Sequence, residues 1–439
     1  MQIQYAKTIE LRHETDVFIA GGGPAGVAAA CAAARQGASV FLAEAQGAFG
    51  GAGTTGLVPA FMPFGNGVDF LAGGIGREVF DALTEMGAPH EGLHSCVGIQ
   101  AEQLKLVYDR MLTEAGVQFS LHTALMDVAV SDGHVQHVVL SAKSGLFAVK
   151  AKVYIDCTGD GDLCAWAGAP FELGNEDGLT MPATLCSLWA NVDWSRTAGR
   201  DAQALEKAFA DGIFTQEDRH LPGMFRVTDE AGNRNLGGGN IGHAFAVDAT
   251  DERSLTTAML WGRRYMAEYE KYYKEYLSGY EDMRLCATGA YLGVRESRRI
   301  MGDYVLNVDD FNNRASFEDE IGRFSYPVDI HIMTPDKAAY DTFHAEHRDM
   351  RYKDGESYGI PYRCLLPKNL TNVLVAGRCV STDRPMQSSI RVMPGCYIMG
   401  QAVGVAAAMA GANGDVRAVD VPVLQNRLRA MGAFLPKRV

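Results

Sequence analysis

The segment Gly21-Gly22-Gly23-Pro24-Ala25-Gly26 constrains this chain more than any other. It follows a short apolar run, Asp16–Ala20, that reads as a buried strand, and it opens an alanine-rich run, Val27–Gln36, that reads as a helix stopped by Gly37. In that setting each glycine has a task. Gly21 allows a tight turn, Gly23 lets backbone approach a pyrophosphate, and Gly26 lets helix and strand pack closely, with the helix N-terminus facing the negative charge. Ser39–Glu44 reads as the next strand and puts Glu44 at the offset of about 20 residues expected of an acid that bonds a ribose hydroxyl. An acid there favours an unphosphorylated ribose, as in FAD or NAD. The nucleotide-binding candidates of this unit are Gly21, Gly23, Pro24, Ala25, Gly26 and Glu44. A structural turn without a ligand is the competing reading, and strand, helix and acid together weigh against it.

Short connections make this a βαβ unit and the start of a parallel sheet. Gly47–Gly67 reads as an irregular loop, and helical spacing returns at Phe70–Met86 and Glu102–Ala115. Leu125–Val130, Val135–Ser141 and Leu146–Lys150, separated by Asp132-Gly133 and Ser144-Gly145, read as an antiparallel meander inserted before a strand at Val153–Asp156. From about Ala169 to Ile330 the pattern is mixed, with a long helix near Glu252–Leu277. The first pattern then returns with a strand at Asn372–Ala376 and a helix from about Gly395 to Ala410. The expected fold class is α/β: a Rossmann-type FAD-binding domain carrying the meander, split between residues 1–168 and 358–439, plus a mixed α+β substrate domain at 169–357.

Charge and cysteine usage narrow the partners. The 439 residues carry a net charge of −13, which argues against nucleic acid because phosphate neutralisation needs concentrated Lys and Arg. A local arginine pocket for an anionic substrate stays compatible with that field. The nine cysteines are odd in number and show no CxxC pair, which fits a reducing cytoplasm better than a disulfide framework. No signal peptide is visible. The longest apolar runs, Gly26–Ala34 and Val403–Ala410, fall short of the ~20 residues of a membrane span, so no membrane partner is expected. A homo-oligomer is left open.

A second glycine match, Gly237-Gly238-Gly239-Asn240-Ile241-Gly242, follows polar residues and precedes no helix-like run; it reads as a loop rather than a nucleotide site. The ordered set of further pieces is more telling. It comprises Gly50-Gly51 continuing to Thr54-Thr55-Gly56, and Asp156-Cys157-Thr158-Gly159-Asp160-Gly161-Asp162. Arg295 through Ile300, Pro327 through His331 and Ile360 through Arg363 follow. Val375-Ala376-Gly377-Arg378, Arg391 and Cys396 through Gly404 complete it. In this order the chain resembles the FAD-dependent oxidoreductase family with the glutathione-reductase-like, two-dinucleotide-binding fold, over most of its length. The resemblance implies FAD as cofactor. It implies that Gly50, Gly51 and Thr54 pass near the flavin and ribityl chain, and that Leu125 touches adenine through backbone. It further implies that Thr158, Gly159 and Asp160 close the site. Gly377, Arg378 and a helix start at Gly400, Gln401 and Ala402 are implied near the pyrophosphate, ribityl and flavin ring. A helix N-terminus aimed there stabilises the charge of reduced flavin.

Four residues are candidates for the chemistry. His331 ends a segment that the family places toward the substrate, and is either a general base or a satisfied structural histidine. His243 is a weaker candidate of the same kind. Arg391 precedes the flavin-side helix and ranks first among the arginines, ahead of Arg295, whose neighbours Arg298 and Arg299 read as a charged face. Tyr362 and Arg363 are candidate pocket walls, and Cys157 and Cys396 read as buried small apolar residues. His344, Glu346 and His347 carry metal-ligand types without convergent support, and no metal is expected. The expected function is a dehydrogenase or oxidase that moves a hydride between a small organic substrate and flavin N5. A flavin monooxygenase and an electron-relay subunit are the alternatives. Where related aromatic hydroxylases carry an Asp-Gly motif and a Gly-Asp-Ala-Ala-His stretch, this chain has Asp156-Cys157-Thr158-Gly159 and Gly377-Arg378-Cys379 instead, and it carries no iron–sulfur cysteine cluster.

Overall fold

The computed structural model describes residues 3–4, 6–227, 235–338, 340–341, 350–411 and 414–436. Strand β1 (Glu10–Ala20), helix α1 (Pro24–Arg35) and strand β2 (Val40–Ala43) open the chain, with β1 and β2 parallel and Ile19 opposite Leu42. β1 is buried at its second half. There Val17 and Ile19 enter one core while Phe18 and Ala20 enter another, as the two-residue period of a strand requires when both sheet faces are covered. Helix α2 (Ile75–Glu85) follows, and β3 (Gln118–Ser120) pairs parallel with β2. Strands β4 (Ala124–Ser131), β5 (His134–Ala142) and β6 (Gly145–Asp156) pair antiparallel in sequence. β6 is long enough to leave this ribbon and run parallel to β1, with Ile155 opposite Ile19.

A second sheet orders β7 (Ser187–Ala190), β8 (Gly223–Arg226), β9 (Gly237–Asn240) and, after helix α3 (Glu252–Tyr276), β10 (Arg284–Thr288) as β8-β9-β7-β10, all antiparallel. Asp201 and Asp251 cap their helices through side-chain oxygens, and α3 lays Tyr265, Tyr269, Tyr272 and Tyr273 against Trp189. The second glycine match is thus a central strand, not the expected loop. A Cβ on Gly238 would stand 2.2 Å from Pro59 Cβ and one on Gly239 2.6 Å from Ser187 Oγ, so close packing explains these glycines without a nucleotide.

The chain then returns. Strand β11 (Val373–Val375) lies beside β6, with Leu374 opposite Ile155, giving the parallel order β3-β2-β1-β6-β11. Helices α4 (Arg384–Ile390) and α5 (Met393–Met409) follow. α5 begins at Met393 with Pro394 in its first turn, so Gly400, Gln401 and Ala402 lie about two turns inside it and are not the expected helix start. Their contacts are with other helices. A Cβ on Gly400 would meet Ala25 O at 2.2 Å and one on Gly404 would meet Ala29 O at 2.3 Å. The alanines of α1 and these glycines therefore let two backbones touch. Ile321, Phe324 and Tyr358 share this core, which takes in residues on both sides of position 357.

Buried Gln401 accepts from Ile75 N at 2.8 Å and so satisfies the N-terminus of α2, which has no cap of its own. Gln401→Ala is expected to lower stability by about 1–3 kcal/mol in denaturant unfolding; an unchanged midpoint contradicts this role. Among the described residues no single helix is long and apolar enough to cross a membrane, and α4 with α5 passes only as a pair bent by 91°.

Candidate functional site

The early glycine turn sorts into two kinds of glycine. Gly21 has φ +91°, and a Cβ there would lie 2.5 Å from Cys157 O; a Cβ on Gly26 would lie 1.9 Å from Gly21 O. Those two hold the turn against β6. Gly23 differs, because nothing stands within 4 Å of where its Cβ would be. It precedes α1, whose N-terminus begins with Pro24 and has no side-chain cap. Open space above uncapped, positively polarised N–H groups is the arrangement a pyrophosphate fits.

The surrounding groups extend this cradle. Glu44 is buried and accepts from Gly22 N at 2.6 Å through one carboxylate oxygen and from Gln46 N at 2.7 Å through the other. Burial pushes its pKa up, against those backbone donors. Gly50 N donates to Gly22 O at 2.8 Å, and a Cβ on Gly51 would lie 3.3 Å from Gly23 Cα. Thr54 Oγ1 donates to Phe49 O at 2.6 Å and fixes this loop, while a Cβ on Gly53 would meet Met393 Sδ at 3.0 Å, at the start of α5. Asp156, wholly buried at the end of β6, accepts from Thr158 N and Oγ1 through one oxygen and from Cys164 N through the other. Asp160 pairs with Arg378 at 2.9 Å, and Arg378 also donates to Ser297 Oγ at 2.9 Å, beside Gly159. Gly377 has φ +101° and sits 3.4 Å from Ala25 Cβ, measured from its would-be Cβ. These residues fit a dinucleotide.

Beside Glu44, Thr123 N donates to Glu44 O at 2.9 Å; Leu125 lies farther along β4 opposite Leu140. Tyr291 was not legible in the sequence. A Cβ on Gly51 would stand 3.3 Å from its hydroxyl, and burial raises its phenol pKa, with the charges of Glu44 and Asp160 adding to the rise and Arg378 opposing it.

A polar cluster forms a second region. His220, His243 and His331 come from three separate segments, and their ring centroids are 4.9–5.1 Å apart. Asp218 pairs with His243 Nδ1 at 3.1 Å. Arg391 donates through Nη2 to Asp329 O at 3.1 Å and to Asp329 Oδ2 at 3.2 Å, and His331 Nε2 is 3.6 Å from the same carboxylate oxygen. Burial and then Arg295 lower the His331 pKa to about 3, against Asp329. Burial likewise keeps His220 well below the ordinary histidine range, with the other two rings adding to it. His220 and His331 are therefore neutral near pH 7.

The two ranked arginines separate clearly. Arg295 is committed: it donates to Pro182 O and Thr184 Oγ1 at 2.8 Å and to Asn240 Oδ1 at 3.1 Å. Arg391 keeps a buried Nε without a hydrogen-bond partner. Arg298 and Arg299 are spent on Asp162 and Glu296. Gln387 Nε2 donates to Arg295 O at 2.9 Å and Arg378 O at 3.4 Å, which ties the cluster's support to the cradle. Tyr362 donates to Val416 O and Arg363 pairs with Asp319, so both are structural rather than pocket walls. Cys157 and Cys396 are buried free thiols. His344, Glu346 and His347 lie outside the described residues. His220 and Asp218 carried no sequence signal, because Asp218-Arg219-His220 reads as an ordinary polar turn.

A family model described as FAD dependent oxidoreductase matches residues 16–428. The chain is 27% identical over 242 residues to thiamine thiazole synthase of Methanococcus aeolicus, spanning 53% of this chain and 80% of that one. The solved structure of p-nitrophenol 4-monooxygenase from Pseudomonas putida DLL-E4 aligns over 94% of this chain and 84% of its own, at 12% identity and a TM-score of 0.50, a likeness of fold alone. A geranylgeranyl bacteriochlorophyll reductase-like protein from Thermoplasma acidophilum aligns over 95% and 83%, at 11% identity and a TM-score of 0.46.

Proposed function

This chain belongs to the FAD dependent oxidoreductase family, as an enzyme with FAD for its cofactor, and from that premise we propose that it oxidises a small organic substrate by hydride transfer to the flavin. The observation that carries this reading is the convergence of His220, His243 and His331 from three segments, held between Asp218 and the Asp329–Arg391 pair at the entry to α5. Bound FAD supplies a two-electron acceptor at N5 of its isoalloxazine ring. Gly21, Gly23, Pro24, Ala25 and Gly26 would receive the pyrophosphate, and Glu44 a ribose hydroxyl. Gly50, Gly51 and Thr54 would line the ribityl path, with Thr158, Gly159, Asp160, Gly377 and Arg378 on the opposite wall.

The remaining work falls to the substrate side, formed by residues of 169–357 acting as a substrate domain. Arg391, with a donor to spare, orients a polar or anionic group of the substrate. The imidazole cluster takes the proton that leaves with the hydride, His331 being its point of contact and Asp329 its orienting carboxylate. Arg295 and His243 position the cluster rather than touch the substrate.

An anaerobic screen of hydroxy acids, amino acids and alcohols tests this. One class is expected to bleach the yellow protein without NAD(P)H. A flavin reduced only by NAD(P)H, with oxygen appearing in the product, means a monooxygenase instead; a flavin untouched by every class, with a co-purifying protein, means a relay subunit.

A further inference from the structure

The three imidazoles also meet the requirements of a metal site, and we propose that His220, His243 and His331 together hold one divalent first-row transition ion, with Zn²⁺ as the probe that reads it. One ligand nitrogen from each residue lies within 4.8 Å of the other two. A tetrahedral set at about 2.0–2.1 Å from zinc needs nitrogens roughly 3.3 Å apart, so ring movements on the order of 1 Å close the site.

The chemistry around the rings points the same way. Imidazole nitrogen is a ligand that suits such ions, and three of them converge here from separate segments. Among the described residues no hydrogen bond links one ring to another, so the cluster does not satisfy itself. Asp218 engages His243 at Nδ1, which leaves Nε2 for an ion; metal-bound histidines usually carry such an outer carboxylate. Asp218 is itself fixed, accepting from His220 N at 3.1 Å and His243 N at 3.2 Å. The two nearby guanidiniums, of Arg295 and Arg391, are offset by Asp218 and Asp329, so an arriving cation does not meet a net positive wall. Asp329 is engaged by Arg391 and stays outside the ligand set. Three nitrogens leave a position for water or a substrate oxygen.

This deepens the reading of the cluster as the substrate-side element, and its use rests on that reading, although binding does not. With the ion in place, water on the ion replaces the ring nitrogen as proton acceptor.

The test uses the full-length flavoprotein, treated with chelator, dialysed and titrated with Zn²⁺. One Zn²⁺ per chain is expected. His220→Gln and His243→Gln are each expected to weaken Zn²⁺ by about 100-fold or more while flavin content and circular dichroism stay those of the wild type. Co²⁺ is expected to give visible bands that both variants lose. A yellow wild-type protein that takes up no Zn²⁺, or variants that bind it as tightly as the wild type, overturns the site and leaves the flavin reading intact. A colourless protein that still takes one Zn²⁺ supports the site and overturns the flavin reading instead.

Discussion

Gly26→Ala is expected to leave no folded flavoprotein, whereas Gly23→Ala, three residues earlier, is expected to fold normally and lose its grip on FAD. The added methyl at Gly26 would lie 1.9 Å from Gly21 O, a backbone atom that cannot swing aside. A clash of that kind sits at the severe end of single substitutions, above about 4 kcal/mol, against a total stability on the order of 5–15 kcal/mol. Gly23 has no neighbour within 4 Å of its would-be Cβ, and its φ of −68° suits any residue. Its methyl would meet only the ligand. Urea unfolding of the Gly23→Ala apoprotein should match wild type within about 0.5 kcal/mol. FAD affinity should fall about 100-fold, or ~2.7 kcal/mol. If Gly23→Ala binds FAD as well as wild type does, the pyrophosphate does not lie where it has been placed.

His331→Ala is expected to keep its flavin and slow substrate reduction of that flavin by about 10²–10⁴-fold, the range a positioned proton acceptor supplies. The residue lies outside the glycine cradle, and its loss leaves Asp329 paired with Arg391, so no buried charge is stranded. Arg391→Ala should act differently. It leaves Asp329 without its guanidinium, and it should weaken substrate binding and lower stability together. Stopped-flow reduction under anaerobic conditions separates the two. An unchanged reduction rate in His331→Ala removes the residue from the reaction.

The cofactor half of this molecule was largely legible from sequence because its signals are local. A strand, a glycine turn, an alanine-rich helix and an acid at fixed spacing each report on neighbours in the chain, and β1, α1 and Glu44 appear where those signals put them. The late helix was legible, its expected start at about Gly395 falling two residues from Met393, but the helix start implied at Gly400 lies mid-helix. The composition of Gly400-Gln401-Ala402 speaks of close helix packing, which occurs in mid-helix as readily as at a helix end. The polar cluster was legible only in part. His243 and His331 drew attention through neighbouring motifs. His220 and Asp218 did not, because what unites them with the others is folding across separate segments rather than spacing. Arg391 already ranked above Arg295 by its place before the late helix; the structure adds the physical reason, one guanidinium being saturated and the other not.

The claim on which the rest depends is that one FAD stretches from Glu44, past Gly23 and Gly51, to the start of α5. Calorimetric titration of the deflavinated protein with FAD and, separately, with FMN tests it most directly. One FAD per chain is predicted, bound about 100-fold or more tighter than FMN, because only the dinucleotide reaches both ends of the cradle. Equal affinity for FMN, which has no adenosine to place at Glu44, would contradict the account.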